Sequence, residues 1–245
     1  MKKVTLITGA SNGIVFETAR QLGQQGHTVV LTARNKDSLA HAVAQLKTEG
    51  LEVDSFVFEV NDKGQLAELI SYITDTYGRL DVLINNAGIQ IDLEAFTPGN
   101  STSTISSENL KKTYETNLFA PVLITQKFLP LLKKSEAGRI VNVSSIMGSL
   151  ALHSDKESPI YAIKLFAYNS SKTALNQFTV HLAQELEGTN VKVNSAHPGW
   201  VKTKLGGEYA PLSIEEGAKT LVDLATIGPN GPNGQFIHLN ENQPW

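Results

Sequence analysis

Seven short runs rich in β-branched and apolar residues alternate with helix-like segments along almost the whole chain. This alternation constrains the fold more than any single motif does. The runs are VTLI (4–7), TVVLT (28–32), VDSFVF (53–58), DVLIN (81–85), RIVNV (139–143), VKVNSA (191–196) and QFIHL (235–239). They read as strands buried on both faces, which is the pattern of a parallel sheet. Between them lie segments with helical spacing, such as the stripe Leu66, Leu69, Ile70 and Ile73. Gly50, Gly78 and Gly188 stand where helices should stop. Strands and helices in strict alternation, with short connections, predict an α/β fold: one doubly wound, seven-stranded parallel sheet with helices on both faces.

The chain has 245 residues and shows no linker, repeat or low-complexity tract, so 1–245 reads as one domain. Three less regular stretches, 89–107, 146–165 and 200–215, follow the predicted C-terminal ends of strands four, five and six. Ligands bind along that rim of an open α/β sheet, so these are the expected substrate loops. A net charge of −3 supports no nucleic-acid partner. The absence of cysteine excludes disulfides, thiolate metal sites and cysteine nucleophiles, and no metal site is expected. The opening MKKVTLITGA imitates a secretion signal, but its apolar run is too short for one. No window is long and apolar enough for a membrane span, and a cytoplasmic location is the expectation.

The first strand runs into TGASNG, residues 8–13, and then into a helix. Gly9 permits a tight turn, and Gly13 lets backbone approach a pyrophosphate at a helix N-terminus. The loop taken alone also fits, less well, an ordinary strand-to-helix turn. The spacing then asks for a third glycine, and Val15 stands there. After strand two comes TARN, with Ala33 where an acid would pair with a ribose 2′-OH and Arg34 able to fork onto a 2′-phosphate.

Tyr168 and Lys172 are four residues apart in a segment, 166–187, with helical periodicity. On a helix they share a face. A tyrosine is a poor acid–base group at its ordinary pKa of ~10, and a nearby cation is expected to lower that value by ~1–3 units. Tyr161 and Lys164 are three apart and preceded by Pro159, so they are set aside. His153 has no partner at a useful spacing.

Taken in order, the glycine loop, NNAG (85–88), Asn117 in YETNLFAPV, NVSS (142–145), Tyr168 with Lys172, and PGWVKT (198–203) resemble the short-chain dehydrogenase/reductase family. TARN, VNVSSIMGS and HPGWVKT resemble its carbonyl-reductase type. The resemblance implies a Rossmann fold and an NAD(P)-dependent enzyme that reduces ketones and aldehydes to alcohols. It implies catalytic roles for Asn117, Ser145, Tyr168 and Lys172: a water-holding asparagine, a carbonyl-binding hydroxyl, the proton donor and its cation. It implies cofactor contacts at Gly9, Ser11, Asn12, Gly13, Ile14, Arg34, Glu59, Val60, Asn86, Ala87, Gly88, Tyr168, Lys172, Pro198, Gly199, Val201 and Thr203. Asn85 is implied in stabilising the central sheet. Glu59 stands where the family carries an aspartate, and Asn12 where NADPH-dependent relatives carry a basic residue. Arg34 nevertheless favours NADPH/NADP+ over NADH. The expected substrate is a small hydrophobic carbonyl compound, and the expected assembly a homodimer or homotetramer. The gap from Ser145 to Tyr168 is longer than in the common oligomeric members. Two alternatives stay open: an NAD-dependent alcohol dehydrogenase of the same family, and a cofactor-binding sensor without turnover.

Overall fold

A computed structural model describes residues 2–92 and 102–245. The predicted substrate loop 89–107 therefore lies partly outside the described residues. The strands are β1 (Val4–Thr8), β2 (Thr28–Ala33), β3 (Val53–Val57), β4 (Val82–Asn85), β5 (Arg139–Val143), β6 (Lys192–Ala196), β7 (Phe236–His238) and β8 (Glu241–Asn242). They form one sheet in the order β3-β2-β1-β4-β5-β6-β7-β8. The first seven in sequence are parallel, and β8 pairs antiparallel with β7. This eighth strand corrects the expected seven. Leu239 and Asn240 take φ values of 46° and 69° to make the two-residue turn between them. That turn usually announces itself through Asn-Gly or Asp-Gly, and HLNEN carries neither.

Two layers of helices cover the sheet. On one face lie α1 (Gly13–Gln24), α2 (Lys36–Thr48) and α8 (Ile214–Thr226), packed through residues such as Ala19, Leu46 and Leu221. On the other lie α3 (Lys63–Tyr77), α5 (Ala120–Leu132) and α7 (Phe166–Glu185), packed through Leu69, Phe128 and Leu182. Period-two alternation divides each strand between the layers: Leu6 joins the second core and Ile7 the first. Two further helices, α4 (Ser107–Tyr114) and the short α6 (Leu150–Ser154), stand nearer the rim.

Polar residues also cross the core. Asn85 Nδ2 donates to Thr125 Oγ1 at 2.9 Å and to Asn142 Oδ1 at 2.8 Å. Asn142 Nδ2 donates to Thr179 Oγ1 at 2.9 Å, and Ser195 Oγ donates to the same atom at 2.9 Å. The chain of bonds ties β4, β5 and β6 to α5 and α7, and its low-dielectric setting strengthens each link.

Candidate functional site

Sheet order reverses between β1 and β4, and the first side of the site forms at that switch point. Gly9 takes φ +68°, and a Cβ there would meet Ala87 Cα at 3.1 Å. Glycine is thus required twice over, by conformation and by space. Gly13, at φ +64°, opens α1 and directs the helix N-terminus at the rim. A cleft of about 560 Å³ runs from here across the C-terminal ends of six strands, β1 to β6. Arg34 lines it beyond β2, Glu59 and Val60 beyond β3, Asn86 to Gly88 beyond β4, and Pro198 and Thr203 beyond β6. Ser11, Asn12 and Ile14 line it at the glycine loop, and Tyr168 and Lys172 face it from α7.

Other expected residues sit elsewhere. Gly199 and Val201 do not line this cleft. A Cβ on Gly199 would meet Leu212 Cδ1 at 2.3 Å, and the Val201 side chain is packed against Gly217 of α8. None of 146–165 lines the cleft either. His153 and Lys164 border a separate hollow of about 480 Å³, and Lys164 Nζ stands 4.7 Å from the Tyr161 ring centre. Loop 200–215 contributes Thr203, Lys204 and Leu205 to the cleft.

Ser145, Tyr168 and Lys172 come together at the β5 end. Ser145 lies near enough to act on the Tyr168 phenol, and its Oγ accepts the Met147 N–H at 3.3 Å. Ser144, 3% exposed, lines the cleft itself, whereas Ser145 stands beside it. Lys172 Nζ donates to the Val143 carbonyl at 2.7 Å and lies 5.6 Å from the Tyr168 ring centre. Burial lowers the lysine pKa to about 8. Burial also pushes the Tyr168 phenol above its ordinary value, while the nearby Ser145 hydroxyl draws it part of the way back. This corrects the expectation of a phenol lowered by Lys172. Desolvation of a buried phenolate is the leading cause, and Lys172 Nζ is held instead on the Val143 carbonyl.

Asn117 lies within a π-helical turn, Glu115–Phe119, and is fully buried. Its Oδ1 accepts the Ile89 N–H at 2.8 Å, and its Nδ2 donates to the Ile89 carbonyl at 2.9 Å and to Ser171 Oγ at 3.1 Å. Both of its donor hydrogens are therefore used within the protein. A Cβ on Gly88 would meet Asn117 Oδ1 at 3.3 Å and Lys172 Nζ at 3.6 Å, so the glycine keeps these groups close.

Sequence reasoning passed over several residues. Thr8 braces the NNAG turn through its hydroxyl. Asn35 and Ser38 line the cleft at the start of α2, and Lys204 lines it near Thr203. His197 Nδ1 accepts the N–H groups of Ile146 and Gly199, each at 3.3 Å. Burial and then His238 push the His197 pKa down to about 3, so its ring is neutral and able to accept. Threonine at a strand end and histidine before Pro-Gly were the available signals.

A model of the short chain dehydrogenase family matches residues 3–211. The chain belongs to this family. Within it the chain is a carbonyl-reductase-like member and an NAD(P)-dependent oxidoreductase. It is 34% identical to a (+)-neomenthol dehydrogenase of Arabidopsis thaliana, over 96% of this chain and 95% of that protein. It is 30% identical to NADPH carbonyl reductase 1 of Mus musculus, over 100% of this chain and 99% of that one. Among solved structures, an NADPH-bound carbonyl reductase from chicken fatty liver superposes with a TM-score of 0.85 at 25% identity, covering 100% of this chain and 99% of the other. The cleft suits the family's dinucleotide: a helix N-terminus and a glycine without room for a Cβ at one point, cations at Arg34 and Lys172 at others. No described helix is long and apolar enough to cross a membrane.

Proposed function

We propose that this dehydrogenase is an NADPH-dependent carbonyl reductase acting on small hydrophobic ketones and aldehydes. Bound NADPH supplies the hydride. Tyr168 gives its proton to the carbonyl oxygen, Ser145 holds that oxygen by a hydrogen bond, and Lys172 supplies a cation near the phenol as its proton leaves. Arg34 would donate hydrogen bonds to the 2′-phosphate, and Gly9, Gly13 and the N-terminus of α1 would hold the pyrophosphate.

The observation that carries this reading is the placement of Tyr168. It lines the cleft from α7 together with Lys172, whose Nζ lies 5.6 Å from its ring centre. A phenol placed there can give its proton to a carbonyl oxygen as the hydride arrives. Tyr168→Phe keeps the ring and removes the proton. Turnover of ketones should fall ~10²–10⁴-fold, the usual contribution of a general acid. NADPH affinity should stay within about threefold. Retained turnover refutes the role given to Tyr168.

A further inference from the structure

Helix α7 carries Tyr168 in its first turn, yet it has no cap of its own. Leu165 occupies the capping position, and no side chain of the flanking residues takes an N–H of the first turn. The partner comes from far along the chain. Asp92 Oδ2 accepts the Ala167 N–H at 2.8 Å, across 75 residues of sequence. Asp92 is 3% exposed, and its other oxygen, Oδ1, has no partner among the described residues. A carboxylate buried on one hydrogen bond is an expensive way to cap a helix, since an exposed serine does the same work. Ser106 and Ser213 cap α4 and α8 in that cheaper way.

The same short segment is fixed a second time. Asn117 grips both the N–H and the carbonyl of Ile89 and reaches Ser171 Oγ, which in turn donates to the Tyr168 carbonyl at 2.7 Å. Residues 89–92 are thus joined to α7 at Ala167 and at Ser171, on either side of Tyr168. This segment also begins the stretch expected to meet substrate.

From this we infer that Asp92 is a positioning residue: it fixes the first turn of α7 against the root of the 89–107 loop and so sets where the Tyr168 hydroxyl stands. The inference rests on the catalytic reading of Tyr168. Asp92 does not line the cleft, and its effect passes through the Ala167 N–H. Small misplacements of a reacting group cost large factors in rate.

The test uses the whole enzyme and compares Asp92→Ala, which has no acceptor, with Asp92→Asn, which keeps one. The Ala variant should lose tenfold or more in kcat, with the Kd for NADPH within threefold of the parent. The Asn variant should recover kcat to within about threefold. Should the Ala variant be insoluble, Asp92→Ser, whose hydroxyl is too short to reach, takes its place. A kcat within twofold of the parent in the Ala or Ser variant overturns the proposal, even when the melting temperature falls. An equal loss of kcat and cofactor affinity also overturns it, as general damage. An Asn variant as slow as the Ala variant overturns it in favour of charge. Tyr168→Phe runs alongside: if that variant keeps its turnover, the catalytic reading itself has failed, and if it is inactive while Asp92→Ala is not, only the positioning role has.

Discussion

The Thr8 hydroxyl accepts the main-chain N–H groups of both Asn86 and Ala87, at 3.0 and 3.1 Å. It donates its own hydrogen to the Ile84 carbonyl at 3.4 Å. All the capacity of one hydroxyl is spent on holding the turn after β4 against the end of β1. Thr8→Val keeps the shape and removes these bonds. Two N–H groups lose their partner, so stability should fall by about 2–3 kcal/mol in urea unfolding. The cofactor cleft should loosen with it, and NADPH affinity should fall about tenfold. Thr8→Ser restores the hydroxyl and should restore both. If the valine variant binds NADPH as the parent does, the turn holds its shape without Thr8.

Arg34 is exposed at the rim beyond β2, beside Asn35 and Ser38. A charged hydrogen bond to phosphate is worth roughly 1.5–3 kcal/mol, a factor of about 10–150. In Arg34→Ala, kcat/KM with NADPH should fall by that factor, and kcat/KM with NADH should change by less than about threefold. The loss should shrink at high salt, because the contact is exposed and screened. Equal losses with the two cofactors would remove the 2′-phosphate role.

Lys172 is a cation that burial weakens, its pKa brought from 10.5 down to about 8. The unfolded chain therefore binds a proton that the folded chain does not, between pH 8 and 10.5. In that window the lysine's contribution to stability rises with pH, by up to roughly 3 kcal/mol at the top. Lys172→Met has no such group. Relative to this variant, the parent should gain stability as pH climbs from 8 to 10.5, measured by denaturant midpoints. A constant difference across the window means that the folded lysine keeps an ordinary pKa.

The order of elements was legible because each strand is short, apolar and bounded by a break in pattern, and helices α3 and α7 appear at the expected places. β8 was not, since Leu239 and Asn240 form its turn without a usual turn signature. The pairing of Tyr168 with Lys172 on one helix face could be read from spacing alone. The height of the phenol pKa could not, because it depends on how much of the ring is buried and on where Lys172 Nζ is held, and Val143 supplies that hold from another element. Asn117 stood out in the sequence only through the family resemblance. The π-turn that turns it into the core leaves no mark in ETNLF that helical spacing detects. Asp92 capping α7 is a bond over 75 residues, beyond any local signal.

Val15 is the remaining oddity of the glycine loop. Its side chain is 4% exposed and belongs to the core cluster with Ile7, Ala19 and Ala33. It also lines the cleft beside Ile14. The valine thus packs α1 onto the sheet and takes space at the cofactor wall, two effects that substitution separates. Val15→Gly removes the core contacts and adds helix flexibility, and should cost about 2–3 kcal/mol of stability. Val15→Ala leaves helix propensity intact and should cost about half as much. In both variants the cleft gains room, and NADPH should bind about threefold or more tightly by titration. Tighter binding in the glycine variant and not in the alanine variant assigns the gain to backbone freedom. Unchanged affinity in both shows that the loop accommodates the valine, leaving its side chain a core residue only.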